Sequence, residues 1–164
     1  MRATERDCPV SASSPFDFVD PGPLIDGELQ LVLDQKAIGD PARNLVPAYG
    51  FKMVLRGGDN EIGRITLRVG HTDHVLRYVG QIGYQVVPGH RGHHYAARAC
   101  RLLLPLARHH GLNPLWITCN PENVASRRTC ELLGAEFVEI VALPADVDMH
   151  RRGERYKCRY RLSL

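Results

Sequence analysis

The sequence predicts a mixed α/β sheet, and three observations carry that prediction. Seven short apolar or alternating runs are separated by glycines, prolines and asparagines, which is the pattern of strands. Two longer stretches repeat their apolar residues at helical spacing. The order β-β-β-β-α-β-α-β-β puts a helix between the fourth and fifth strands. Such a βαβ unit makes those two strands parallel.

Residues 1–22, rich in Ser, Pro and Asp, read as a poorly ordered arm, and residues 23–164 as one domain. Asp26-Gly27 turns into the first strand, 28–33. Residues 34–48 carry Pro41, Asn44 and Pro47 and have room only for short helical turns; near a site, this loop would shape substrate access. The second strand, 49–55, and the third, 61–69, form a hairpin across Gly57-Gly58-Asp59-Asn60. After the polar loop at 71–74, residues 79–87 read as the fourth strand, broken by Pro88-Gly89.

Ala96, Ala99, Cys100, Leu103 and Ala107 then mark a helix that runs on to Gly111. Pro105 inside it should remove one backbone bond and bend the axis. Residues 115–118 form a buried strand. Asn120-Pro121-Glu122 reads as the cap of a second helix, with proline at its first position and Gly134 at its end. Residues 136–143 and 155–162 supply the last two strands. Arg155, Lys157, Arg159 and Arg161 alternate along the final one, as a solvated outer face or as a substrate wall favouring an acidic acceptor.

Composition narrows the function. With 164 residues and 44% hydrophobic content, the chain is long enough for one sizeable core. A net charge of +3 is too mild for general nucleic-acid binding, and a small polyanionic ligand fits the local basic clusters better. No apolar run approaches the roughly 18 residues of a membrane span, and the N-terminus lacks a secretory pattern. A cytoplasmic protein with no membrane partner is the expectation. Cys8, Cys100, Cys119, Cys130 and Cys158 are scattered and odd in number, which argues against a disulfide framework or structural zinc.

The turn from Val86 to Ala96 carries the chemistry. A helix that starts there presents free N–H groups and its positive dipole end beside His90, Arg91 and His93, a setting that suits a diphosphate. His90, His93 and His94 could instead hold a metal, but no acidic or cysteine ligand lies nearby in sequence, and none is expected to be bound.

Two motifs now resemble the GNAT superfamily of N-acetyltransferases, from about residue 28 to the end. Arg91-Gly92-His93-His94-Tyr95-Ala96 is similar to its phosphate loop, Gln/Arg-x-x-Gly-x-Gly/Ala, with His94 at the usual glycine. Asn120-Pro121-Glu122-Asn123-Val124-Ala125-Ser126, followed by Glu131-Leu132-Leu133-Gly134, is similar to Asn-x-x-Asn-x-Ala-Ser…Glu-x-x-Gly.

The resemblance implies a GNAT-like, mostly antiparallel seven-stranded sheet with one central parallel pair and flanking helices. Acetyl-CoA, as co-substrate, would lie in a V-shaped split between the strands ending at Val87 and Thr118. Its diphosphate would rest on Arg91, Gly92, His93, His94, Tyr95 and Ala96, and its pantetheine arm would pair with Val86 and Val87. Asn120 and Asn123 would contact the arm, with Ser126 and Arg127 near the CoA end.

The implied reaction is direct attack of a primary amine on the thioester. Because an amine of pKa near 10 is rarely neutral at pH 7, proton removal needs a base or water relay. The backbone N–H of Val87 would hold the oxyanion. Cys130, standing where relatives often have tyrosine, or Tyr84 would reprotonate the CoA thiolate. The acceptor is a small-molecule amine or a protein amine. The asparagine-rich motif is shared with relatives that acetylate ribosomal-protein N-termini. A homodimer, another acyl group, and a non-catalytic acyl-CoA-binding or regulatory module remain open readings.

Overall fold

The computed structural model describes residues 15–164. Its strands are β1 (Leu24–Asp26), β2 (Leu29–Ala37), β3 (Ala48–Leu55), β4 (Glu61–Arg68), β5 (Ile82–Val86), β6 (Leu115–Cys119), β7 (Glu136–Ala142) and β8 (Tyr156–Leu162). The helices are α1 (Tyr95–His109), α2 (Val124–Leu132) and the short α3 (Asp148–Arg151). Among the described residues one sheet runs β1-β2-β3-β4-β5-β6-β8-β7, with β5 and β6 parallel and the other neighbours antiparallel. It has eight strands, not the seven expected: Gly27, at φ +58°, turns the chain so that Leu24–Asp26 pairs with β2.

Two-residue periodicity builds the core. Leu29 and Leu31, Tyr49, Phe51 and Met53, and Ile65 and Leu67 all turn to one face of the sheet. The buried stripe of α1, centred on Ala99, Cys100, Leu103 and Ala107, packs with them in one core. Ala96, expected in that stripe, instead lines a cavity. Pro105 lies on the exposed side of α1, and the helix runs through it from Tyr95 to His109.

Three expectations need correcting. The arm was expected to reach residue 22. Residues 1–14 lie outside the described residues, but Phe16, Phe18 and Val19 pack against the core. The Val19 N–H donates to the Tyr49 hydroxyl at 2.9 Å, and that hydroxyl meets His110 Nε2 at 2.8 Å. Second, the fourth strand starts at Ile82, because Val75–Val79 closes into a π turn that buries Val75. Third, the basic side of β8 is not a plain solvated face. The strand sits between β6 and β7, so Arg159 stacks 4.2 Å over Trp116 and pairs with Glu139. Lys157 is buried on Asn120 and Glu154, and Arg161 pairs with Glu136. Among the described residues no helix is long and apolar enough to cross a membrane.

Candidate functional site

The parallel strands touch at one register pair, Ile82 opposite Ile117, and diverge beyond it. Gln81 locks the closed end. Its side chain is fully buried, its Nε2 donates to Gly70 O at 2.9 Å, and its Oε1 accepts from the Trp116 N–H at 2.8 Å. The Gln81 N–H bonds Trp116 O at 2.8 Å. Gly80 brings the chain in at φ +79°, where an added Cβ would stand 2.9 Å from Thr118 N.

Backbone direction decides which amides face the split. The Val87 N–H donates to Ile62 O at 2.9 Å within the ladder, so it is spent. This corrects the expectation that Val87 holds the oxyanion. Alternation along the β4–β5 ladder turns the N–H groups of Val86 and Tyr84 to the opposite side, toward β6. The carbonyl of Val86 points the same way and accepts from Arg91 Nε at 3.0 Å.

A cavity of about 490 Å³ opens there, between β5, the turn before α1, and α2. Tyr84, Val86, Arg91, Gly92, His94, Tyr95, Ala96, Asn123 and Ser126, all singled out from the sequence, line it. Val87, His93, Asn120, Arg127 and Cys130 do not. His93 instead packs beside Tyr95, with ring centroids 5.4 Å apart. His94, at φ +59°, holds the left-handed conformation that glycine adopts freely. It offers no side-chain cap, which leaves the first N–H groups of α1 without the usual capping acceptor.

The second helix starts later than expected. Asn120–Asn123 forms a turn, and Asn123 is the cap, accepting from the Ser126 N–H at 3.1 Å. Asn120 is held away from the cavity by Lys157 Nζ at 2.7 Å. Arg127 points toward β8, donating to the Tyr160 hydroxyl and to Pro121 O, both at 3.3 Å. Arg128 faces the cavity in its place. The missed set Ala125, Arg128, Thr129 and Leu132 stands at i, i+3, i+4 and i+7, a helical face whose spacing was the available signal.

The Tyr84 hydroxyl lies 2.9 Å from Ser126 Oγ and donates to Ser126 O at 3.3 Å. Burial, and then the neighbouring Cys130, push its ionisation well above the ordinary tyrosine value. Cys130 is fully buried, and its thiol is pushed far up, first by its contact with Cys119 and then by burial. It does not line the cavity, whereas Tyr84 does. Cys119 is the opposite: the neighbouring Cys130, with Ser126, Arg127 and Lys157, draws its thiol below the ordinary value. Among the described residues, no carboxylate lines the cavity.

Residues 17–136 match the family model described as Acetyltransferase (GNAT) domain. No curated protein matches the chain at a significant level. Solved structures do. An acetyltransferase (GNAT family) from Bacillus anthracis aligns with TM-score 0.55 and 22% identity, over 70% of this chain and 65% of that one. Ribosomal-protein-S5-alanine acetyltransferase from Vibrio fischeri gives 0.56 and 15%, over 71% and 61%. Microcin C7 self immunity acetyltransferase MccE, in complex with acetyl-CoA and AMP, gives 0.55 and 15%, over 71% and 61%. The chain thus spans less than two thirds of the length of each.

Proposed function

The chain belongs to the GNAT acetyltransferase family, and from that premise we propose that it transfers an acetyl group from acetyl-CoA to a primary amine. One observation carries the reading. The unpaired edge of β5 and the uncapped start of α1 open into the same cavity. That pairing offers a strand edge to the pantetheine arm and free N–H groups to the diphosphate. Arg91, Arg128 and His90 add basic side chains around the phosphates. MccE, bound to acetyl-CoA, supports the same co-substrate here.

The amine attacks the thioester carbonyl as a free base, having lost its proton to water. The C–N bond forms, and the oxyanion rests on the N–H of Val86, the amide turned to the split in place of Val87. The C–S bond then breaks, the attacking nitrogen releases its extra proton to water to become the amide, and the CoA thiolate takes a proton from the Tyr84 hydroxyl. Ser126 holds that hydroxyl and can relay its replacement from solvent. A tyrosine whose ionisation is raised stays protonated at neutral pH, so it serves as donor and not as base.

The Vibrio fischeri relative, described as acting on a ribosomal-protein alanine, favours a peptide N-terminus among the amines open to this chain. The test is release of free thiol from acetyl-CoA across a panel of small amines and N-terminal peptides. Amine-dependent release is expected. Binding without release on any amine would favour the regulatory-module reading.

A further inference from the structure

The face of the sheet away from α1 holds a second cavity, of about 400 Å³. Its walls are the 38–46 loop and the π turn at Val75 and Val79, and Arg68, the last residue of β4, reaches into it. The Arg68 guanidinium lies against Gly83, where an added Cβ would be 3.0 Å from Nη1. The next residue, Tyr84, lines the CoA cavity, so a single strand separates the two chambers.

Arg68 donates to Gly80 O at 3.2 Å and, among the described residues, has no carboxylate within ion-pair distance. It is partly shielded from water, and that desolvation draws its ionisation down from the ordinary arginine value. The other charged or titratable lining groups are Asp40, Arg43 and His74. Asp40 accepts from the Ala42 N–H at 3.1 Å as the cap of its own turn. A desolvated guanidinium with most of its donors unspent favours a bidentate anion.

We propose that this chamber is the acceptor subsite and that Arg68 binds a carboxylate carried by the amine substrate. The proposal rests on the transfer reading above. The carboxylate comes from an amino acid or from an acidic residue next to a peptide N-terminus. The amine then reaches the thioester beside Gly83, through the split between β5 and β6.

The test has two arms on CoA-loaded protein: γ-aminobutyrate against its amide, and an amidated peptide beginning Ala-Glu against one beginning Ala-Gln. The readout is the Arg68 Nε–H resonance, assigned by its loss in Arg68→Lys. The charged member of at least one pair should shift it and the neutral members should not; the responding arm identifies the source of the carboxylate. In turnover with acetyl-CoA, the charged acceptor should be favoured by about tenfold or more in kcat/KM. Arg68→Gln should erase that preference through KM, with acetyl-CoA affinity unchanged. Equal responses to charged and neutral members, or a preference that survives in Arg68→Gln, overturns the proposal. The wild-type comparison decides alone if the variant does not fold. Calorimetry with acetyl-CoA keeps the two readings apart: heat with a silent Arg68 sinks only this one, and no heat sinks the transfer reading first.

Discussion

His94 holds φ +59° at the entrance to α1, a conformation costing a non-glycine residue about 1–2 kcal/mol. Replacing it with glycine should therefore stabilise the fold by about 1 kcal/mol, read as a higher Tm, and bring the loop closer to the phosphates. A lower Tm would show that the imidazole makes a contact worth more than the strain. At the reacting centre, Tyr84→Phe should lower kcat roughly a hundredfold and leave the KM for acetyl-CoA nearly unchanged. A KM effect with kcat intact would make Tyr84 a packing residue. The cysteines divide by surroundings and not by motif. Thiolate absorbance should appear below the ordinary thiol range and vanish in Cys119→Ser, because Cys119 is the sulfur whose ionisation is drawn down. Sequence position pointed at Cys130, since a motif records spacing along one helix. The neighbour across the β6–α2 gap that reverses the assignment is not local.

At the scale of elements, the closed end of the split depends on Gln81. Gln81→Leu leaves the Trp116 N–H and the Gly70 carbonyl unpartnered in the interior and should cost about 3 kcal/mol in denaturant unfolding. A loss below 1 kcal/mol would mean that water replaces the amide. The start of α1 is tied to the β1–β2 turn by Arg98, which pairs with Asp26 and Glu28 at 2.8 Å each. Its guanidinium holds the Glu28 carboxyl down to about 2 from the ordinary 4.5. A lowered carboxylate contributes above its unfolded value, so this tie is complete above pH 4.5 and fades as pH falls toward 2. In Glu28→Gln the acid-side fall in Tm over that window should be shallower than in the parent. The helices themselves were legible: α1 announces itself by small apolar residues at helical spacing. The start of α2 was misjudged by three residues because Asn120-Pro121 and Asn123 both carry cap chemistry. The choice fell to Lys157, a partner thirty-seven residues away that holds Asn120.

For the whole molecule, local signals carried the strand and helix order and the parallel pair, since a βαβ crossover leaves little freedom. Neighbour order was not legible at the far edge. β8 enters between β6 and β7, a long-range pairing that turns the expected solvated basic face into one covered by Trp116, Glu136, Glu139 and Asn120. The same non-local packing sets Arg68 at a cavity on the face opposite the proposed CoA site, although nothing in its sequence neighbourhood marks it. The molecule thus holds two chambers, one lined by Tyr84 of β5 and the other reached by Arg68 of β4. The central claim is that the β5 edge and the start of α1 together hold acetyl-CoA, and calorimetric titration of the intact chain tests it most directly. Saturable heat with acetyl-CoA is expected, weakened by about tenfold or more in Arg91→Glu, which sets a carboxylate against the diphosphate. Absence of heat, or equal affinity in the two proteins, would contradict it.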